Sequence, residues 1–520
     1  MKKAIHRIVI VGGGTAGWIT AALVAAKYRP SSERNVSVVL VESPDIPIIG
    51  VGEGTWPSMR MTLQKIGIPE ADLVRSCDAS FKQGTQFIGW SEKGDEHRYI
   101  HPFSFPAEYS HLNLAGYWLS QGSRVPFADF VTPQAKVIAA GLAPKQPSTP
   151  EYAFNVNYGY HFDAGKFAQL LHRHAVGTLG VEYVQANVEA VESAEDGDIA
   201  AVALDTGRKI EGDLFVDCTG QRALLIGEHL GVDFMSVKDV LFNDAAIAVQ
   251  VPYGKTDDPI ASTTQATAVE NGWIWDIGLQ SRRGIGHVYS TAYADDATAM
   301  AAIRDYVQAT SPAANLDELE FRTIRFEPGY RRELWVKNCV AVGLSGGFIE
   351  PLEASALALI EQSASIISQQ LPADREIMTV VARRFNDKMR YNWERVIEFL
   401  KLHYVLSKRS DSPYWEDCRD EASWPQSLKD KLLLWQQQAP WHDDAPRVDE
   451  LFPSASYQYV LYGMGFTPEY NYLGRTELDR ERQRVDSLLA ANDKTARQMT
   501  SLLPGNRELL NEMTSLRGVA

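Results

Sequence analysis

Lys82, Glu353 and the pair Trp273 and Trp275 are the side chains of this sequence best suited to chemistry, and a glycine turn near its start is the backbone best suited to it. Lys82 follows Phe81 in an apolar run, so it is either an edge lysine reaching for water or a buried amine. Burial lowers a lysine pKa and raises the neutral, nucleophilic fraction, and a nearby carboxylate opposes that shift. Glu353 stands two residues after Pro351. Proline suits the first position of a helix, and the positive end of a helix stabilises a carboxylate or an anion. Glu353 is therefore a helix-terminal acid, with or without a further role. In Gly272-Trp273-Ile274-Trp275-Asp276-Ile277-Gly278 an extended chain turns both indoles the same way. Two adjacent indoles make a wide rigid wall that fills or blocks a cavity, or they simply pack in a core.

The turn is Gly12-x-Gly14-x-x-Gly17, between Ile8-Val9-Ile10-Val11 and the helix-compatible Trp18-Ile19-Thr20-Ala21-Ala22-Leu23. Strand, glycine turn and helix in that order bring backbone N–H groups and a helix N-terminus to a pyrophosphate. Gly12 permits the turn, Gly14 lets phosphates reach the backbone, and Gly17 lets the helix pack on the strand. A second apolar run, Val36 to Val41, ends at Glu42, where this arrangement expects an acid for a ribose hydroxyl. A dinucleotide site is expected.

The elements that must position these groups change character along the chain. Met59 to Ile68 has helical spacing, Phe81 to Trp90 alternates as a strand, and an aromatic loop with Phe103 begins at His101. Val181 to Val184, Ile199 to Leu204 and Lys209-Ile210 read as an antiparallel meander. It delivers Leu214 to Gly220, a strand ending at Asp217 and a small-residue turn beside a cofactor. Strands are expected at Ala246 to Val251, Trp273 to Leu279, His287 to Thr291 and Cys339 to Val342. The glycine loop Val342 to Gly347 then leads into helices at Pro351 to Gln370 and Ile377 to Lys408, and the rest is mainly helical. The expectation is an α/β body with an interleaved antiparallel sheet over 1–350 and a helical C-terminal part over 351–520.

Composition narrows the function classes. Of 520 residues, 45% are hydrophobic and 22% charged, as in a folded enzyme. Fifty-one basic against 66 acidic residues give −15 without a basic block, so nucleic acid and anionic membrane are poor partners. Cys77, Cys218, Cys339 and Cys418 lack metal or disulfide spacing and read as reduced thiols. Met-Lys-Lys leads almost directly into the first strand, and no apolar run approaches a membrane span, so a cytoplasmic enzyme is expected.

Together these stretches resemble the flavin-dependent halogenases, typified by the tryptophan halogenases. The matching pieces are the glycine turn with Trp18, Gly50-Val51-Gly52-Glu53-Gly54-Thr55, Phe81-Lys82, Val216-Asp217-Cys218-Thr219-Gly220, the double-Trp segment and Pro351-Leu352-Glu353. Phe399 to Tyr404 and Ser407-x-Arg409-x-Asp411-Ser412-Pro413-Tyr414-Trp415 complete the series in the family's order. The resemblance implies an FAD-binding, flavin monooxygenase-like Rossmann body, with FAD held by Gly12, Gly14, Thr15, Ala16, Gly17, Glu42, Gly52, Asp217, Gly346 and Gly347. It implies a substrate pocket containing His101, Phe103, Trp273, Trp275 and Tyr457, and a halide at Ser355 and Ala356. The implied reaction uses reduced FAD from a separate flavin reductase, O2 and bromide or chloride. Hypohalous acid forms at the flavin and passes through a tunnel to Lys82; Glu353 orients the donor or removes the ring proton. Many relatives look dimeric; no homodimer seam is legible here.

Three departures bear on the substrate and the halide. Gly278 stands where the family's tryptophan motif has proline, and Ala354-Ser355-Ala356 where it usually has Ser-Thr-Gly. From Arg419 to Ser456 there is no tyrosine, and Trp441-His442-Asp443-Asp444-Ala445-Pro446 replaces the residues that clamp a free amino acid. A site that loses such hydrogen bonds loses much affinity, so indole or another electron-rich arene fits better than free L-tryptophan. The competing readings are a single-component aromatic flavin monooxygenase and a catalytically degenerate flavin-binding protein.

Overall fold

The computed structural model describes residues 4–28, 34–46, 52–469 and 475–515. The sequence readings on Pro47 to Val51, on residues 470–474 and on the two chain ends lie outside them. The chain forms two compact units, each built from three stretches: Met1–Asp78, Phe162–Val237 and Glu327–Glu394 in the first, Ala79–His161, Lys238–Phe326 and Arg395–Ala520 in the second. The change of pattern near residue 350 falls within the first unit.

In the first unit a six-stranded sheet has the order Trp335–Val336, Cys339–Ala341, Leu214–Asp217, Arg7–Val11, Ser37–Glu42, Glu182–Gln185. All neighbours are parallel except the Trp335–Val336 edge. Helices on a parallel sheet bury its strands, which is why Ile8 to Val11 and Val38 to Val41 are apolar without alternation. Helix Thr15–Lys27 packs against helices Ala164–Gly177 and Ser355–Gln369. The helix Ala164–Gly177 is a crossover, and it delivers Glu182–Gln185 parallel to Ser37–Glu42. The first expected meander strand therefore belongs to the parallel sheet; the antiparallel meander is Val188–Ser193, Ile199–Leu204 and Lys209–Glu211.

In the second unit a seven-stranded sheet runs Phe321–Arg325, Ala245–Pro252, Arg282–Tyr289, Gly272–Gly278, Thr264–Val269, Gly84–Ile88, Arg98–Pro102. One face carries Ile247, Val249, Ile274 and Ile285 and is covered by the apolar side of helix Asp296–Thr310. Register places Trp273, Trp275, Phe87, Tyr99, Thr85, His101 and Thr264 on the opposite face. The expected strand Phe81 to Trp90 is two strands, Ser80–Lys82 and Gly84–Ile88. A Cβ at Gly84 would stand 2.3 Å from the His101 carbonyl oxygen, so the break requires glycine. No helix among the described residues is long and apolar enough to cross a membrane.

Candidate functional site

The glycine turn has the space a pyrophosphate needs. A Cβ at Gly17 would lie 1.9 Å from the Gly12 carbonyl oxygen, and one at Gly12 would strike the Cys218 carbonyl at 2.1 Å. At Gly14 nothing stands within 4 Å, so the approach from outside is open. Thr15 and Ala16 begin the helix, and neither a capping side chain nor a first-turn acid blocks its N–H groups. Glu42 ends its strand and lies across Gly13, where a Cβ would come within 2.1 Å of its carboxyl carbon. A side chain at Gly13 would displace the Glu42 carboxylate, a constraint the three-glycine pattern leaves out. The Tyr183 hydroxyl donates to Glu42 Oε2 at 3.0 Å, while burial raises the carboxyl's pKa. These residues fit FAD as the group held here. Gly52, with φ +135°, precedes Glu53, whose carboxyl burial pushes up to about 7.

Asp217 is placed differently from its expected role as a flavin contact. It is fully buried, and its carboxylate accepts from Thr219 N and Oγ1, Leu225 N and Ile226 N at 2.7–3.0 Å. It therefore shapes the turn Cys218 to Gly220 from within, its oxygens already occupied by the protein. Ser345 Oγ donates to the Asp217 carbonyl, tying the second glycine loop to this turn. A Cβ at Gly343 would stand 2.8 Å from Ala16 Cβ, so the loop also sits directly on the start of the first helix. Gly346, Gly347, Ser355 and Ala356 line one apolar cleft with Phe348 and Trp393.

Pro351 does not open the following helix, as the sequence had led us to expect. Leu352–Ala354 forms a 3₁₀ turn and the helix is Ser355–Gln369. Glu353 (φ 63°, ψ 5°) and Ala354 (φ 56°, ψ 41°) are both left-handed, a conformation of Cβ-bearing residues that stores about 1–3 kcal/mol each. Trp56 Nε1 donates to the Glu353 carbonyl at 2.7 Å and braces the turn. No side chain caps this helix and its first turn has no acid, so the N–H groups at Ser355 and Ala356 suit an anion.

Lys82, His101, Phe103, Trp273, Trp275 and Tyr457 all belong to the second unit. Lys82 is 1% exposed, which decides between the edge and buried readings, and its Nζ lies 5.6 Å from the centre of the Phe103 ring. Ser80 Oγ donates to the Gly278 carbonyl, and Asn506 Nδ2 donates to the Phe81 carbonyl at 3.4 Å, so the two residues that precede Lys82 are fastened. His101 Nε2 is 3.0 Å from Ser456 Oγ. The indoles of Trp273 and Trp275 stand 6.3 Å apart at 61°, and Trp90 extends the row 6.1 Å beyond Trp273. Trp275 lies over Gly286 of the neighbouring strand, where a Cβ would meet its ring at 2.0 Å. Arg409, through the carbonyls of Gly89 and Ala268, and Trp415, through that of Val269, clamp this part of the sheet.

Tyr457 is not placed as a pocket-lining hydroxyl. Its OH donates to Glu398 Oε1 at 3.0 Å, in a buried cluster with Lys431 and Arg395. Glu398 needs these donors because it is fully buried. The segment with Trp441 and His442 instead packs on Tyr109, at ring distances of 5.0 and 5.1 Å. Sequence reading also passed over His161, Asn506 and Trp56. His161 and Asn506 sit in unremarkable surroundings and Trp56 in a glycine-dense loop, and only the fold shows what each one holds.

The family model described as "Tryptophan halogenase" matches residues 7–476. Among curated proteins, tryptophan 6-halogenase ThaL of Streptomyces albogriseolus is 33% identical over 503 residues, covering 90% of this chain and 91% of that one. Among solved structures, a tryptophan halogenase from Shewanella frigidimarina superposes with a TM-score of 0.95 at 46% identity, covering 99% of both chains. BrvH, a flavin-dependent halogenase from Brevundimonas sp. BAL3, gives a TM-score of 0.85 at 34% identity over 98% of this chain and 99% of its own.

Proposed function

Since the chain belongs to the tryptophan halogenase family of flavin-dependent enzymes, we propose that it brominates or chlorinates an electron-rich arene of the indole class rather than free L-tryptophan. The observation that carries this reading is Lys82, wholly buried in an aromatic setting beside Phe103. A lysine there has no solvation to gain and is suited to holding an electrophile.

When bound, reduced FAD supplied by a separate flavin reductase furnishes hypohalous acid from O2 and halide. The Gly12–Gly17 turn and helix Thr15–Lys27 hold the pyrophosphate, Glu42 the ribose, and the N–H groups at Ser355 and Ala356 the halide. Trp273 and Trp275 keep the arene from the flavin and leave passage for the smaller oxidant. Lys82 holds that oxidant by an N–H donor or as a halogenated amine and directs the halogen to one ring carbon. Phe103 stacks on the arene and His101 orients it. Glu353 takes the ring proton as the carbon–halogen bond forms.

The test supplies FAD, O2 and an NADH-dependent reductase with bromide and chloride in competition, over indoles, pyrroles, phenols and L-tryptophan. Halogenated indole as the main product is expected. Lys82→Ala should abolish it while flavin binding persists. A hydroxylated product formed without halide would establish the monooxygenase reading instead. Mixed with NADH alone, the protein should leave its flavin oxidised in stopped flow; fast reduction would remove the separate reductase from the account.

A further inference from the structure

His161 is buried, and only one of its two ring nitrogens has a hydrogen-bond partner. It stands on strand Gly159–Phe162, directly opposite Ser80 in an antiparallel pair whose next register is Lys82 with Gly159. Directly opposed and alternate residues share a face, so Ser80, Lys82 and His161 project to the same side. His161 Nε2 lies 2.8 Å from Thr264 Oγ1, on the face of the large sheet that also carries His101 and the two indoles. His161 Nδ1 is fully enclosed and has no hydrogen-bond partner. Burial and the nearby Lys82 charge hold the imidazole's pKa well below its ordinary value, so the ring is neutral. In the tautomer whose Nε2–H donates to Thr264 Oγ1, Nδ1 presents a lone pair. An enclosed acceptor without a donor calls for a small polar guest.

We propose that His161 Nδ1 and Lys82 Nζ share one small hydroxylic guest, water at rest and hypohalous acid in turnover, which makes His161 a positioning residue for the oxidant. This rests on the reading of Lys82 as the group that directs the halogen. The guest's O–H donates to Nδ1, and its oxygen accepts an N–H of Lys82. Pinned at oxygen from two sides, the oxidant can point only its halogen at the arene. As the carbon–halogen bond forms and the oxygen–halogen bond breaks, the oxygen leaves as water, taking up one proton, and the ring carbon loses one.

Two isosteres separate this from a structural role. In His161→Asn the amide reaches the Nδ1 position and abandons Thr264; in His161→Gln it reaches the Nε2 position and abandons the guest. With reductase-supplied reduced FAD, bromide and indole, His161→Asn should keep kcat within about threefold. His161→Gln should lose about tenfold or more in kcat with KM for indole unchanged, the effect of one lost hydrogen bond in the transition state. The reverse order, or equal kcat in the two variants, overturns the proposal. A crystal structure of the unmodified protein gives a readout independent of activity: an ordered oxygen within hydrogen-bond reach of both His161 Nδ1 and Lys82 Nζ. A well-defined map without that oxygen overturns it too. Halogenation surviving Lys82→Ala is a different failure, because it removes the Lys82 role and leaves the crystallographic oxygen in place.

Discussion

Gly286→Ala tests whether the indole row is packed as described. The added Cβ would stand 2.0 Å from Trp275 Cζ2 and 2.2 Å from Cη2, against the 3.5–4.0 Å at which carbon atoms attract. The indole must retreat by about 1.5 Å. It cannot do so freely, because Trp273 lies 6.3 Å from it and Trp90 a further 6.1 Å behind. Forcing extra volume into such packing costs about 1–3 kcal/mol. Alanine recovers about 0.5–1 kcal/mol through the stiffer unfolded chain, so a net loss of about 1–2 kcal/mol is expected. The assay is urea unfolding of the full chain, with near-UV circular dichroism to report the indole environments. Trp275→Phe in the Gly286→Ala background should restore part of the loss, because the smaller ring vacates the space; the coupling in that double-mutant cycle should exceed about 0.5 kcal/mol. Unchanged stability together with an unchanged near-UV spectrum would refute the placement of Trp275 over Gly286.

Three further outcomes follow from single contacts. Glu361 is buried between Ser58 and Thr62, and burial pushes its carboxyl up to about 7 although both hydroxyls favour its ionised form. A raised carboxyl stabilises the fold fully below its unfolded pKa and loses that contribution as pH rises through 7. Glu361→Gln should therefore match the wild type near pH 4.5 and exceed it by up to about 3 kcal/mol at pH 8, read from urea midpoints across pH. Ala354→Gly should stabilise the protein by up to about 1 kcal/mol, since glycine takes φ 56° without a Cβ clash and gives back part of the gain as unfolded-state entropy; thermal unfolding checks it. Asp217→Asn keeps one acceptor but turns an NH2 toward the N–H groups of Leu225 and Ile226, and should cost about 3 kcal/mol along with flavin affinity, measured by unfolding with and without FAD.

The nucleotide-binding part was legible because its chemistry is written in backbone terms. A Cβ at Gly12 or Gly17 would strike backbone, while the space around Gly14 is open, so the spacing of the three carries the geometry with it. The four donors that hold the Asp217 carboxylate were not legible, for the opposite reason. A carboxylate at the end of a strand looks the same in sequence whether it faces a cofactor or four donors of its own turn. Tyr457 is a similar case, since Glu398 is 59 residues away and nothing local announces their bond. The start at Pro351 failed because Glu353 and Ala354 are left-handed without being glycine. The indole pair, by contrast, followed from strand periodicity alone, while Gly286, which makes room for it, is intelligible only once strand register is known.

The departures at Gly278 and Ala354 have different physical characters. At Gly278 any residue with a Cβ, proline included, would press on the Tyr253 hydroxyl at 2.9 Å and on Ile260 Cγ2 at 3.0 Å. Tyr253 and Ile260 therefore fill the volume a proline ring would take, and the Gly278 carbonyl accepts from Ser80, two residues before Lys82. That is a substitution with its compensation in place. Ala354 has no such partner for its backbone conformation: it holds a left-handed angle that glycine would hold at lower cost, while Trp56 braces the residue beside it. The left-handed turn at Glu353 and Ala354 sets the direction of the N–H groups leading into Ser355, and the Ala354 methyl adds strain without altering that direction.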